Sequence, residues 1–446
     1  MSFKRSFLLG LTILLIGLIA VPAFYFLEFG SSAAWTVTVP VAGVRLRVKV
    51  EPLLRVATSS LGRRLLDGTM WRTRAGQLTV RDVAGTLQVK CAPCTMSLPT
   101  FAPQPIKIYS LSIALKRDGS RLDGTLAFVG RQKEQHASFS GELAANAIKL
   151  DWQLPRSNLS ELFGVVQSAL PELRRATVRG QMAANGTLQL PEWKWTAAPV
   201  IEEFQVFGLG TERLREGTFE LSCRDQNGWP VKRVIGEYLP GWVTLNQMGK
   251  WLPRAVMAAE DARFYSHPGY DMVELMPLLV NPDRKDSRGA STITQQLAKN
   301  FFVGADKSEA RKLRELLYAV EMERTLGKRR ILALYLNTVD WGPGLCGVSD
   351  AAQMYFTRDA SQLAPIEVAW LAGILRNPHR AYQQEFLANK AEPGRMGWVA
   401  AQMRYPAKKK QPNFTIVEAR PAEAAPATLA ATSTESTENS PAATQE

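Results

Sequence analysis

The apolar and polar positions follow four regimes along the chain. Phe7 to Leu27 carries no charged residue over 21 positions. At about 1.5 Å rise per residue such a run crosses a hydrocarbon core of about 30 Å. Lys4 and Arg5 precede it, which predicts a cytoplasmic N-terminus and an exported remainder. Val21-Pro22-Ala23 resembles a signal cleavage site, but the apolar run continues through Leu27, longer than secretion requires. A retained anchor over residues 1–28 is therefore expected. From Ala34 to about Asp225 the chain reads as β-rich, with period-two strands. Strands are predicted at Trp35 to Val39, Val44 to Val50, Gln77 to Lys90, Ile106 to Leu115 and Leu122 to Val129, with turns at Asp118-Gly119 and Asp123-Gly124. One helical interruption is expected from Asn158 to Ala176, broken or kinked by Pro171, followed by a hairpin from Val178 to Leu190. From about Gln247 the period becomes helical. Pro253 opens a helix carrying Ala255 to Glu260, and further helices are predicted at Glu309 to Leu326, Lys328 to Leu336 and Glu367 to Leu375, the last mostly buried. From about Ile416 the chain is Ala, Pro, Thr, Ser and Glu with little to bury, a disordered tail by composition. The expectation is a multidomain protein: anchor 1–28, β-rich sheet or sandwich 29–228, mainly helical domain 229–410 and disordered tail 411–446.

The helical region holds the candidate chemistry. Ser291 to Gln296 are polar or β-branched and run into an apolar-periodic segment, a pattern for a helix start that lines a polar groove. Ser291 and Thr292 suit the orphan N–H groups of such a start. Gln295 and Lys299 are four apart and share a face, which suits an anionic, hydroxyl-rich ligand beside a helix N-terminus. Glu260 ends a small-residue helix, and a partly apolar setting would raise its pKa toward that of a general base; the plainer reading is a solvated Glu. Asp261 orients the following loop or caps a turn. His267 reads as structural, without a metal-ligand partner at suitable spacing. Glu315 lies four residues after Arg311, on one face; the plain alternative is a surface ion pair. Lys299, Arg311 and Lys312 suit phosphate oxygens. Arg311 and Lys312 point about 100° apart on a helix, so one of them, Arg311, is expected to face the groove.

Five blocks stand in order: EDARFYSHPG from Glu260, RGASTITQQLAKN from Arg288, RKLRE from Arg311, KRRILALYLN from Lys328 and AWLAGILRNP from Ala369. Together they resemble glycosyltransferase family 51, the peptidoglycan glycosyltransferases, over about residues 230 to 405. The resemblance implies a mainly-α, two-lobed lysozyme-like domain that polymerises lipid II by β-1,4 transfer and releases undecaprenyl pyrophosphate. It implies Glu260 as base and Glu315 near the sugar-pyrophosphate, with Mg²⁺ or Mn²⁺ left open there and no organic cofactor. It places substrate contacts at Asp261, Phe264, Ser291, Thr292, Gln295, Gln296, Lys299, Arg311, Lys312, Lys328 and Asn337. The implied partners are lipid II, the growing glycan chain, the membrane and, through the β-rich domain, other cell-wall synthesis proteins. The implied location is the bacterial inner membrane, single-pass, with a periplasmic catalytic domain. Ala333 stands where the family has an acidic residue, Cys346 where it has an aromatic one, and the segment from Gly269 to Gly289 is shorter than typical. No Ser-x-x-Lys occurs, so peptide cross-linking by that nucleophile is not expected. The alternatives are a lytic glycan-cleaving enzyme of lysozyme-like fold and a non-catalytic lipid II-binding scaffold.

The 446 residues allow two or three domains. Net charge is 54 minus 41, or +13. No nucleic-acid motif accompanies it, and an export signal argues against that partner; an anionic membrane surface and a pyrophosphate-linked lipid account for the sign. Cys91 and Cys94 read as a local disulfide of an exported protein, since no second pair or nearby His completes a zinc site. Cys223 and Cys346 are too far apart in sequence to assign. The β-rich strands resemble the repeated amphipathic strands of AsmA-like proteins and show no catalytic constellation, so they read as a spacer or partner-binding module.

Overall fold

Most of the period-two region builds one eleven-stranded antiparallel sheet. The computed structural model describes residues 36–403, except 42–43, 74, 99–100, 145–146, 191, 193, 281–290, 305–307 and 309. The expected anchor and tail lie outside these residues. A hairpin, β1 (Thr36–Val41) and β2 (Val44–Lys49), pairs Thr36 with Lys49. Two short helices follow, α1 (Val50–Ala57) and α2 (Ser60–Leu66); the sequence reading ended a strand at Val50 and named no element before Gln77. The sheet then runs through β3 (Met70–Thr73), β4 (Gly76–Val83), β5 (Thr86–Met96), β6 (Ile106–Ile108), β7 (Ser110–Asp118), β8 (Arg121–Val129), β9 (Glu134–Ala144), β10 (Ala147–Asn158), β11 (Thr177–Leu190), β12 (Lys194–Trp195) and β13 (Ala198–Phe207). Neighbours follow chain order from β3 to β12, with β6 paired to β5 and β13 to β11. Alternation puts Ile148, Leu150, Trp152 and Leu154 of β10 on the buried face.

The hairpin expected from Val178 to Leu190 is instead the single 14-residue strand β11. Gly180, at φ +113°, sits at a register shift between Arg179 and Gln181. The shift sets three steps of β13, Gln205 to Glu202, against two of β11, so the extra residue is on β13 and β11 runs on unbroken. The helical interruption is α3 (Leu159–Val165) and two 3₁₀ turns, the second opened by Pro171.

A hairpin, β14 (Thr218–Arg224) and β15 (Pro230–Gly236), straddles the expected domain junction. Helices α4 (Trp251–Glu260), α5 (Met272–Val280), α6 (Ile293–Ala298), α7 (Ala310–Thr325) and α8 (Gly327–Thr338) follow. The small pair β16 (Asp340–Gly342) and β17 (Leu345–Cys346) precedes α9 (Val348–Phe356), α10 (Pro365–Ile374), α11 (Pro378–Ala381) and α12 (Pro393–Gln402). Helix α10 is apolar all round and buried at every position from Ile366 to Ile374, the signature of a central helix. It packs against α4 and α12 and so fixes the helix that ends at Glu260. Both cysteine pairs are bridged, Cys91 to Cys94 and Cys223 to Cys346; the second ties β14 to β17. Among the described residues no helix is long and apolar enough to cross a membrane.

The sheet grips α7 along its length. The Phe101 carbonyl accepts the backbone N–H of Ala310 at 2.9 Å, satisfying one of the orphan donors of the helix start. Arg314 Nε donates to Glu172 Oε1 at 2.7 Å, and Arg175 donates to the Tyr318 hydroxyl at 3.0 Å. Glu321, fully buried, accepts from Leu209 N at 2.9 Å and Thr211 Oγ1 at 3.0 Å. Arg215 closes the last turn by donating to the Thr325 carbonyl at 2.9 Å.

Candidate active site

Glu260 is the last residue of α4, and Asp261 caps that helix. Asp261 Oδ2 accepts from the backbone N–H of Ile293 at 3.0 Å, and its carboxylate meets His267 Nε2 at 2.9 Å and 3.1 Å. His267 Nδ1 accepts from Gly269 N at 3.2 Å, so Nε2 carries the proton and donates to Asp261. This buried pair pins the start of α6 to the end of α4. Asp261, expected as a substrate contact, therefore has its carboxylate turned inward as a strut. Asp271 also comes within ligand distance of Asp261 and His267, so His267 does have carboxylate neighbours that its sequence spacing did not reveal. Asp271 is held by Arg263 at 2.9 Å and by Val273 N at 2.9 Å.

Helix α6 begins with a capping box. Thr292 Oγ1 accepts from Gln295 N at 3.2 Å, and Gln295 Oε1 accepts from Thr292 N at 3.1 Å. Thr292 Oγ1 also donates to the Gly269 carbonyl at 2.8 Å. Thr292 and Gln295 are buried. The ligand-facing position predicted for Gln295 beside Lys299 is corrected: its side chain turns back to the helix start, because the cap there needs its oxygen.

Gln296 faces the carboxylate instead. Its Nε2 donates to Glu260 Oε2 at 3.1 Å, and its Oε1 accepts from the Tyr335 hydroxyl at 2.9 Å. Glu260 is half-buried by its residue surface, yet its carboxyl is packed deeply enough that desolvation raises its pKa. The Gln296 hydrogen bond and the charges of Arg395 and Arg376 pull the other way, and Asp261 adds to the rise. Tyr335 is wholly buried and held well above the ordinary phenol range by that burial. Sequence reasoning gave no role to Tyr335 and Arg376, which stand in the fourth and fifth blocks, or to Arg395. Tyr335 sits inside the fourth block, four residues after Ile331, on a helix face that only packing identifies.

A second cluster forms where α7 begins. Lys312 Nζ donates to Glu315 Oε2 at 2.6 Å and to Ser291 Oγ at 3.0 Å. Arg311 Nη1 lies 3.3 Å from Glu315 Oε1. All three α7 side chains are buried. Arg311 shares a face with Glu315 as the spacing of four implied, and Lys312, three residues before it, reaches the same carboxylate. Burial lowers the Lys312 pKa; Glu315 opposes this, and the charges of Arg311 and Lys299 add to it. Lys299, at the end of α6 and half-buried, thus belongs to the same neighbourhood. Two cations already neutralise Glu315, and that donor set does not fit a divalent cation at this carboxylate.

The remaining candidates are supports. Phe264 is buried, and the Lys328 ammonium lies 4.4 Å from its ring centroid. Lys328 donates to the His267 carbonyl at 2.7 Å and pairs with Glu323 at 2.9 Å. Asn337 brackets Val243, accepting from its N–H at 2.9 Å and donating to its carbonyl at 2.8 Å. Lys328 and Asn337 thus both bond protein partners in this arrangement. Cys346 is in a disulfide.

The model of the transglycosylase family matches residues 230–404. A biosynthetic peptidoglycan transglycosylase of Aromatoleum aromaticum is 45% identical over 158 residues, 35% of this chain and 68% of the relative. The chain belongs to the transglycosylase family. A protein of the same description from Vibrio parahaemolyticus is 42% identical over 161 residues, 34% of this chain and 72% of the relative. One from Nitrosomonas eutropha is 48% identical over 139 residues, 31% of this chain. The chain spans 57% of that last relative's length. The transglycosylase match opens at β15 and takes in both clusters; the eleven-stranded sheet lies before it.

Proposed function

We propose that this transglycosylase is a peptidoglycan glycosyltransferase that polymerises lipid II into glycan strands. The observation that carries the reading is the pairing of a desolvated carboxylate with a buried cationic cluster, joined through α6. Gln296 of α6 touches Glu260, and Lys299, three residues on, lies with Arg311, Lys312 and Glu315. Glu260, its pKa raised by burial, takes the proton from the 4-hydroxyl of the acceptor sugar. That oxygen bonds to the anomeric carbon of the growing chain as the bond to undecaprenyl pyrophosphate breaks, with inversion. Lys299, Arg311 and Lys312 stabilise the charge that develops on the pyrophosphate, and Glu315 holds the last two in place. A lytic enzyme would need the carboxylate but not the cations.

The lysozyme-like two-lobed architecture and the single-pass, periplasm-facing placement in the inner membrane belong to this proposal. A membrane-confined lipid substrate and the apolar run from Phe7 support them. The test is incubation of purified full-length protein with labelled lipid II and resolution of the products by size. Polymer supports the reading; unchanged lipid II or shortened glycan overturns it.

A further inference from the structure

Helix α2 is turned the opposite way from a helix of a water-facing surface. Leu61 and Leu65, four residues apart, point outward at 67% and 70% exposure. Its inward positions are Gly62, Arg63 and Leu66, the last packed against the core. Gly62 is buried so closely that a Cβ would meet the Val56 carbonyl oxygen at 1.9 Å. Arg63 donates to the Thr58 carbonyl at 2.6 Å and pairs with Asp82 at 3.3 Å. No rotation of α2 can bury Leu61 and Leu65 without breaking these ties, so the outward apolar face is built in. Val56, before α2, is also exposed. The next element, β3, is the edge strand of the sheet and exposed along its whole length, with Met70 at 65% and Trp71 at 44%. The strand is short and carries Arg72, so its two large apolar side chains, not its length, are what stand open to solvent. Arg64 and Arg72, both exposed, flank the patch.

We infer that α2 and β3 form a second membrane contact, seated in the headgroup region of an anionic bilayer. This rests on the reading of Phe7 to Leu27 as a span. Three observations favour a bilayer. Leucine, methionine and tryptophan bordered by arginine is the composition of interfacial segments. The arginines match anionic headgroups. The β1–β2 register returns Lys49 to the side of Thr36, nine residues past Leu27. Nine residues reach at most about 30 Å, and the step across the hairpin to Val50 adds about 10 Å, so the start of α1 lies within about 40 Å of the end of the apolar run. The contact would set the tilt of the sheet over the bilayer. Because the sheet grips α7, it would also set the height of the Glu315 cluster.

The experiment uses full-length protein in phosphatidylglycerol-containing vesicles. All four native cysteines are in disulfides, so Leu61→Cys, Leu65→Cys and Trp71→Cys each add one thiol for an environment-sensitive fluorophore. Tyr238→Cys, at 89% exposure in the parent residue, is the aqueous control. The inference predicts quenching of the three labels by spin-labelled lipid. It also predicts quenching by iodide about tenfold weaker than at residue 238, as for side chains at the boundary of headgroups and acyl chains. Iodide quenching equal to the control overturns it. Shielding from both quenchers also overturns it, and means that a second copy, a protein partner or another segment of this chain covers the patch. Lipid II polymerisation by the same vesicles is scored in parallel, so a failed activity and a failed contact are read separately.

Discussion

Gln296 donates to Glu260 Oε2 at 3.1 Å while its own oxygen accepts from Tyr335 at 2.9 Å. An amide has two chemically different ends, and the tyrosine decides which one meets the carboxylate. With its pKa far above neutrality, Tyr335 can only donate toward this oxygen. The Gln296 NH₂ group is thereby held toward Glu260 and steadies one carboxylate oxygen.

Tyr335→Phe keeps the ring and removes the donor. It leaves the Gln296 oxygen without that buried partner, a cost of about 1–3 kcal/mol. We expect kcat to fall about tenfold with KM for lipid II little changed, because the loss falls on positioning. Steady-state kinetics with circular dichroism as a fold control measures it. A parallel rise in KM at constant kcat would mean that the tyrosine serves binding instead.

The raised pKa of Glu260 has two consequences of defined sign. As a base it must be ionised, so the rate should rise with pH through a carboxyl pKa above the ordinary glutamate range. As a buried acid whose folded pKa exceeds its unfolded one, it favours the folded state only while protonated. Its unfavourable contribution grows as pH rises from the unfolded to the folded pKa and is complete above the latter. Glu260→Gln should therefore match the wild type in Tm at low pH and equal or exceed it at pH 8. A Tm for the variant well below wild type at pH 8 would contradict the desolvation argument.

Lys312 and Arg311 should separate by phenotype. Lys312 is more deeply buried and bonds both Glu315 and Ser291. Lys312→Ala removes the closer partner of a buried carboxylate, a change on the order of 3–5 kcal/mol, and we expect a lowered Tm before any kinetic effect is read. Arg311→Ala and Lys299→Ala should fold and lose about 10²-fold in single-turnover rate, the scale for one preorganised donor. Wild-type rates in both folded variants would remove the pyrophosphate-clamp role.

The grip on α7 predicts coupling between the sheet and the site. Glu172→Arg and Arg314→Glu should each lower Tm and turnover, and the double exchange should recover part of both, with a coupling energy of roughly 0.5–3 kcal/mol. Additive losses in thermal denaturation and in rate would show that the 2.7 Å pair carries no such link.

The sequence reported the local rules well and the assembled ones poorly. Helices α4, α7, α8 and α10 were legible because their apolar period and small or charged faces are strong. Ser291 to Gln296 announced a helix start, and Thr292 is its cap. The sequence could not show which polar residues the cap would consume: Gln295 and Gln296 are adjacent and chemically identical, yet one closes the capping box and the other meets Glu260. The carboxylate beside His267 was hidden because a six-residue loop brings it there. Helices α1 and α2 were missed because their short apolar runs lie among alternating strands. The long β11 was misread because it carries two glycines, Gly180 and Gly186, inside one strand, and glycine also punctuates turns. The partner of Cys223 was invisible because its closure spans 123 residues.

The central claim is that Glu260 drives polymerisation of lipid II. The most direct measurement is a single-turnover reaction of full-length wild type and Glu260→Gln with labelled lipid II, products resolved by size and both proteins checked for fold. Long glycan from the wild type and a loss of several orders of magnitude in the variant is the predicted result. Glycan of similar length formed at a similar rate by Glu260→Gln would contradict the account.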